Sequence, residues 1–369
     1  MKPFQLLVKP VSADCNSRCA YCFYRRAEAL YPESPRHRMS NETLEKMVRE
    51  FLALGQPESV FSWQGGEPTL AGLDFFEEVV RLERHYGVGG QVVGNALQTN
   101  GLLLDERWAE FLARYQFLVG LSLDGPEAVH NTFRKNAAGE GHFDQVLAAA
   151  ELLRAAGVAF NILAVVSTAN VGRAAEVYRF FRGQGFRFIQ FVPCLERDPS
   201  GEGLTPFSIT PEAYGKFLCE LWDAWMQDGI PEVSIRDFDS YLSRRLQGKH
   251  RLCTYQPHCG QYLVVEHNGD VYPCDFFVDA ERRLGNLADR RLDEFLRLPA
   301  GNAFARAKAP GDAECIKCTW RSHCHGGCQK DRLTPAGTPA GRSRFCEAYR
   351  AFFRHAEPDL ARFKKKARP

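Results

Sequence analysis

The chain has 369 residues, 45% of them hydrophobic and 25% charged, with a formal net charge of +2. That is the make-up of a globular protein with a large core, and so small a charge excludes a global pull toward nucleic acid or acidic membranes. No apolar run approaches the roughly 20 residues that cross a bilayer, and the first ten residues meet proline too soon for a secretory signal; a cytoplasmic protein is expected. In chain order, short apolar or β-branched runs at 4–8, 60–63, 92–97, 117–123, 160–166 and 186–192 predict strands. The segments 41–54, 73–85, 105–115, 143–156 and 173–184 between them carry apolar residues at i, i+3, i+4, i+7 and predict helices. Ser40 is placed to cap the first of these. Strands that are apolar along their length and alternate with helices imply a parallel sheet covered on both faces. Six such units close most, but not all, of a (β/α) barrel. Beyond them, helices are expected at 211–227 and 237–245, then a hairpin of strands 261–266 and 270–274 around Asn268-Gly269.

The polar and glycine-rich breaks fall where strands end: Cys15–Cys22, Gly65-Gly66-Glu67-Pro68, Gln98-Thr99-Asn100-Gly101 and Ser122-Leu123-Asp124-Gly125. In a barrel those loops converge on one rim, where active sites lie. Thirteen cysteines, an odd number without an export signal, point to metal ligation in a reducing compartment rather than to disulfides. Cys15, Cys19 and Cys22 have the spacing C-x3-C-x2-C. Three thiolates on one short loop suit three irons of a cube and leave the fourth iron open to a chelating ligand. A zinc site would need a fourth protein ligand, and the nearest histidine, His37, is remote in sequence. Eight of the other cysteines lie between Cys253 and Cys346, enough for two complete four-thiolate sites. Composition leaves both iron–sulfur clusters and zinc open for these.

With an aromatic residue, Tyr21, before its last cysteine, the Cys15–Cys22 loop resembles the signature of the radical S-adenosylmethionine superfamily, and Gly65–Pro68 resembles that superfamily's GGEP motif. The resemblance implies a [4Fe–4S] cluster on Cys15, Cys19 and Cys22 whose open iron binds S-adenosylmethionine and cleaves it to a 5′-deoxyadenosyl radical. It further implies cofactor contacts from Tyr21, Gly65, Gly66, Glu67, Ser122, Arg134 and Leu195. The C-terminal cysteines resemble a SPASM extension with two auxiliary [4Fe–4S] clusters. That family's pattern assigns Cys253, Cys259, Cys274 and Cys328 to one and Cys315, Cys318, Cys324 and Cys346 to the other, whereas nearest neighbours in sequence would group Cys315, Cys318, Cys324 and Cys328. Cys194 and Cys219 are left as free thiols, and His258, His323 and His325 as neighbours of ligands. The implied architecture is an α/β partial (β/α)6 TIM-type barrel over residues 1–232, followed by a small cysteine-rich α+β SPASM domain over 233–369.

Cys22-Phe23-Tyr24, Trp63-Gln64-Gly65-Gly66-Glu67-Pro68-Thr69, Asn95–Gly101 and Val264–Val271 narrow the resemblance to anaerobic sulfatase-maturating enzymes. Such enzymes oxidise a cysteine or serine within C/S-x-P/A-x-R of a sulfatase to Cα-formylglycine. By this resemblance Asp275 is the base, next to the ligand Cys274, where burial near anionic clusters is expected to raise its pKa. Tyr24 and Gln64 line the substrate site. The implied partners are an unfolded or nascent sulfatase polypeptide and a flavodoxin or ferredoxin, with the enzyme itself a monomer. The alternatives are another SPASM peptide-modifying enzyme, forming thioethers or crosslinks, and a non-catalytic iron–sulfur or zinc protein.

Overall fold

The computed structural model describes residues 3–34, 36–200, 202–227, 229, 231–309, 312–336 and 340–366. Its strands in chain order are β1 (Gln5–Lys9), β2 (Glu58–Trp63), β3 (Val92–Thr99), β4 (Leu118–Ser122), β5 (Phe160–Val166), β6 (Phe188–Pro193), β7 (Ser234–Ile235), β8 (Tyr262–Glu266), β9 (Asp270–Tyr272) and β10 (Gly285–Asn286). Its principal helices are α1 (Asn41–Leu52), α2 (Leu73–Tyr86), α3 (Glu106–Arg114), α4 (Glu127–Phe133), α5 (Phe143–Ala155), α6 (Ala174–Gly183), α7 (Pro211–Met226) and α8 (Arg236–Gln247). Every strand and helix expected from the sequence forms, with ends displaced by no more than two residues. Ser40 caps α1 by accepting the Thr43 N–H at 3.1 Å, which satisfies one of the helix's orphan donors. The chain divides into two compact units, one of Met1–Ser122, Arg134–Phe160 and Gly260–Ala305, the other of Leu123–Phe133, Asn161–Cys259 and Arg306–Pro369.

In the first unit β1 pairs in parallel with β2, β2 with β3 and β3 with β4. The hairpin that the sequence places in the C-terminal domain joins this sheet: β8 lies parallel to β1, and β9 and β10 follow antiparallel. Side chains alternate across the sheet with period two. Leu6 and Val8 of β1 therefore enter the large core under α1 and α2, with Phe61, Trp63, Phe75 and Phe76. Phe75 and Phe76 meet the Trp63 ring edge-on at 5.8 and 5.5 Å, and burying each such side chain stabilises the fold by about 1.5–3 kcal/mol. The Trp63 indole donates to Asn95 Oδ1 at 2.7 Å. Leu7 takes the opposite face, with Tyr24, Val264 and Tyr272. Lys9, two residues on, belongs to that face as well.

In the second unit β5, β6 and β7 are parallel, and α7 packs along the helix Cys346–Ala356. Gly215 permits their close approach, since a methyl group there would stand 3.1 Å from Ala348 Cα. Trp222 fills this core and donates to Asp359 at 2.9 Å. Among the described residues, no helix is long and apolar enough to cross a membrane.

Candidate functional site

The first unit gathers its polar loops at the ends of β1 to β4. The cysteine loop leaves β1 through a turn in which the Ser12 N–H bonds the Lys9 carbonyl, and the turn after β2 docks on it. Gly66 N donates to Ser12 O and Glu67 N to Asp14 O, both at 2.8 Å. The need for glycine is steric: a methyl group on Gly66 would lie 1.9 Å from Asp14 O, and one on Gly65, at φ +134°, 2.7 Å from Ser12 O. The two glycines, from which the resemblance implies cofactor contacts, also admit the chain's own cysteine loop.

Glu67 ties the same loops together from below. Fully buried, its carboxylate accepts from Thr69 N and Oγ1, Thr99 Oγ1 and Asn100 N at 2.6–3.1 Å. Burial raises its pKa against those four bonds. Asn100 in turn donates to Asn16 Oδ1 at 2.8 Å. Ser17 Oγ lies 3.4 Å from Cys19 Sγ and donates to Lys135 O at 3.0 Å, with His142 Nε2 at 3.1 Å. The Cys22 thiol is raised by burial and then by neighbouring Cys19, and Cys15, crowded at its sulfur though exposed as a residue, is pushed up to about 12, foremost by desolvation. Thiols so reluctant to ionise alone suit a soft cation that holds them as thiolates.

Arg134 is 6% exposed, so it is no surface charge; its guanidinium lies over the Tyr21 ring at 5.5 Å. Ser122 Oγ accepts from Gln98 Nε2 at 3.1 Å, and Gln64 is fixed through its N–H on Val8 O. His37, remote in sequence, returns to the cysteine loop. Its N–H and Nδ1 bond Asp14 at 2.6 and 2.8 Å and Nε2 the Tyr31 carbonyl at 2.9 Å. Burial opposes a charge there, but those bonds outweigh it and the ring's pKa rises. With both nitrogens engaged, His37 has no lone pair for zinc.

On the other face of β1, Asp275 follows Cys274 just past β9. Its Oδ1 lies 2.5 Å from the Lys9 ammonium, with the two side chains 11% and 1% exposed. That oxygen makes the ion contact without any well-aligned hydrogen bond. The sequence placed Asp275 beside a cluster ligand; the structure adds the Lys9 cation at its Oδ1. Tyr24, 3% exposed, gives its hydroxyl to buried Glu266, and Cys274 Sγ lies 3.3 Å from the Tyr262 hydroxyl.

In the second unit Cys315, Cys318, Cys324 and Cys346 line one cavity with Trp320, Arg321, Arg342 and Tyr349. Cys328 is not part of that wall. Burial pushes Cys324 and Cys346 up to about 11. Cys253, Cys259 and Cys328 share a different surrounding, in which Gln329 Nε2 donates to Cys259 Sγ at 3.3 Å. Fully buried Lys308 donates there to the carbonyls of Cys253 and Thr254 at 2.5 and 2.9 Å, and Arg332 to Lys308 O at 2.6 Å. Two buried cations among thiols suit an anionic thiolate cluster. Among the described residues no three His, Cys, Asp or Glu side chains close tightly enough for a single metal ion. Cys194 and Leu195, just after β6, are buried, and Cys219 half-buried. His325 lies against His250 and His323 against Arg245; burial pulls both down to about 4.

Residues 10–181 match the radical SAM superfamily and 253–319 an iron–sulfur cluster-binding domain. The chain is 40% identical over 362 residues to the cysteine-type anaerobic sulfatase-maturating enzyme of Clostridium perfringens, covering 98% of both chains. It is 36% identical over 382 residues to the serine-type enzyme of Bacteroides thetaiotaomicron, covering 99% of this chain and 92% of that one. The chain belongs to the anaerobic sulfatase-maturating enzyme family. A solved structure of the relative anSMEcpe with bound AdoMet and Cp18Cys peptide superimposes with a TM-score of 0.90 at 39% identity, covering 99% of each chain.

An anaerobic sulfatase-maturating enzyme is a radical SAM enzyme, and membership brings the mixed α/β partial barrel with its SPASM domain, three [4Fe–4S] clusters and S-adenosylmethionine. The donor sets fit those groups: a three-cysteine loop under a glycine turn, and a four-cysteine cavity. Sequence reasoning found Arg134 but missed Lys9, Lys308 and Arg332. Lys308 and Arg332 bond carbonyls and carry no motif. For Lys9 a signal existed: the alternation of β1 puts it with Leu7, on the face away from the helices.

Proposed function

We propose that this chain oxidises one cysteine or serine within C/S-x-P/A-x-R of a sulfatase polypeptide to Cα-formylglycine. The observation that carries the reading is Asp275: a carboxylate directly after Cys274, anchored at one oxygen by Lys9 and still partly open. A base within reach of its proton is the first requirement of such chemistry. Cys15, Cys19 and Cys22 hold one cluster, Cys253, Cys259, Cys274 and Cys328 the second, and Cys315, Cys318, Cys324 and Cys346 the third. The shared cavity of the last four, without Cys328, favours this assignment over nearest neighbours in sequence.

When bound, these groups supply a carbon radical that takes a Cβ hydrogen atom from the target residue, and a sink for one electron. Asp275 takes the thiol or hydroxyl proton. Loss of a hydrogen atom, a proton and an electron leaves a thioaldehyde or an aldehyde, and water converts the former to aldehyde and hydrogen sulfide. Tyr21, Gly65, Gly66, Ser122, Arg134 and Leu195 are the residues that would bind S-adenosylmethionine. Arg134 is suited to clamp its carboxylate, and Glu67 keeps the turn in shape through its bonds to Thr69, Thr99 and Asn100. Tyr24 and Gln64 border the target residue. Residues 1–232 form the radical SAM partial barrel and 233–369 the SPASM domain. The enzyme is a cytoplasmic monomer that exchanges electrons with a flavodoxin or ferredoxin.

Mass spectrometry of target peptides under reductant and S-adenosylmethionine tests the reading, with an expected loss of ~18 dalton for cysteine or ~2 dalton for serine. Asp275→Asn with all clusters loaded abolishes that loss. Unchanged peptides alongside healthy deoxyadenosine release would instead favour another peptide-modifying reaction.

A further inference from the structure

We infer that Lys9 is the positioning residue for Asp275, holding one carboxylate oxygen so that the other faces the target residue. The inference rests on the proposed role of Asp275 and adds the residue through which that role is set.

Lys9 is the last residue of β1, opposite Glu266 in the register with β8. Its side chain is 1% exposed, with Nζ 2.5 Å from Asp275 Oδ1 and 4.2 Å from the centroid of the Tyr24 ring. Two buried carboxylates border this place. Glu266 is taken by the Tyr24 hydroxyl and lies beside His267, which leaves the ammonium to Asp275. The lysine stem is fixed too. A methyl group on Gly65 would stand 3.3 Å from Lys9 Cδ and 3.6 Å from its Cβ, so the glycine turn after β2 packs directly on the stem. One side chain thus touches both the turn beside the cysteine loop and the carboxylate after Cys274. Because a buried ion pair is often no more stable than an apolar replacement, stability alone gives weak reason for a lysine here. Positioning gives a reason: the pair anchors Oδ1 while 11% of the Asp275 side chain stays accessible.

The test uses the cluster-loaded enzyme and a peptide bearing Cys-x-Pro-x-Arg, with Lys9→Met, Lys9→Arg, Asp275→Asn and the Met/Asn double variant. Formylglycine, deoxyadenosine, peptide KM and melting temperature are measured. Lys9→Met is expected to lower formylglycine formation by about 100-fold, the scale of a misplacement near 1 Å, with deoxyadenosine release and KM within about threefold. The double variant is expected to be no slower than Asp275→Asn alone. Its melting temperature should exceed that of Lys9→Met, in which a buried carboxylate is left without its cation. Lys9→Arg keeps the cation and should recover at least about a tenth of the rate. Full activity of Lys9→Met, or formylglycine and deoxyadenosine falling by the same factor, overturns the inference. So does a double variant slower than both single ones. If Lys9→Met does not fold, Lys9→Arg and the double variant against Asp275→Asn decide in the same way. A fully active Asp275→Asn sinks the base assignment itself, whereas an inactive Asp275→Asn with active Lys9→Met sinks only the role of Lys9.

Discussion

Replacing Gly66 by alanine puts a methyl group 1.9 Å from Asp14 O, 2.5 Å from Asp14 C and 2.6 Å from Ala13 C, where real Cβ atoms essentially never come within 3.0 Å. All three obstacles are backbone, so no side chain can swing aside. The cysteine loop and the glycine turn must part by at least 1.1 Å, the gap between 1.9 and 3.0 Å. That parting breaks the 2.8 Å bonds from Gly66 N to Ser12 O and from Glu67 N to Asp14 O. With about 1 kcal/mol for each bond and about 1–3 kcal/mol for overpacking, the loss is about 3–5 kcal/mol. A shift near 1 Å at a reacting site costs about 100-fold in rate, so cleavage of S-adenosylmethionine should fall by that much or more. The assay is deoxyadenosine release under reductant without peptide, with iron content and melting temperature measured in parallel. Gly89→Ala serves as control, because a methyl group there meets nothing within 4 Å. Gly66→Ala with full iron and undiminished cleavage would refute the claim that this glycine exists for the cysteine loop.

Glu83 predicts a pH dependence. Its carboxyl is pushed up to about 8 by burial, against one bond from Asn95, and Oε1 has no partner. Protonated Glu83 stabilises the fold below its unfolded value of 4.5, and that stability is lost as pH rises toward 8. The melting temperature should fall across that window, and Glu83→Gln should flatten the fall; an unchanged slope would contradict it. Cys346→Ala should remove about a third of the iron, and adding Cys318→Ala should remove no more, since both line one cavity. Combining Cys346→Ala with Cys328→Ala should remove about two thirds. Equal iron in the two double variants would return Cys328 to the cavity set.

What the sequence made legible has a physical pattern. Strands β1 to β4 are parallel in one unit and β5 and β6 in the other; their apolar runs stand out in the sequence, and the α1 cap is a local signal read from three residues. The cysteine loop and the glycine turn are likewise contiguous motifs. The place of the hairpin was not legible. Its composition groups it with the cysteines that follow, while its pairing with β1 depends on backbone hydrogen bonds that any sequence can make. The same holds for Lys308, whose partners are carbonyl oxygens, and for His37, whose return to Asp14 bridges an irregular stretch. Asp275 was found only through the family resemblance; its lysine was not found at all.

The pairing of β1 with β8 also orders events in time. Lys9 and its register partner Glu266 are 257 residues apart, roughly 10–50 s of synthesis at ordinary rates. For that interval β1 can join β2 but keeps one bare hydrogen-bonding edge, the kind that invites pairing with other chains. The strand that leads into the first cysteine loop is thus among the last to be closed. A nascent or truncated chain ending before residue 260 holds a cysteine loop beside an open sheet edge, with a buried-to-be lysine facing water and no carboxylate yet made to meet it.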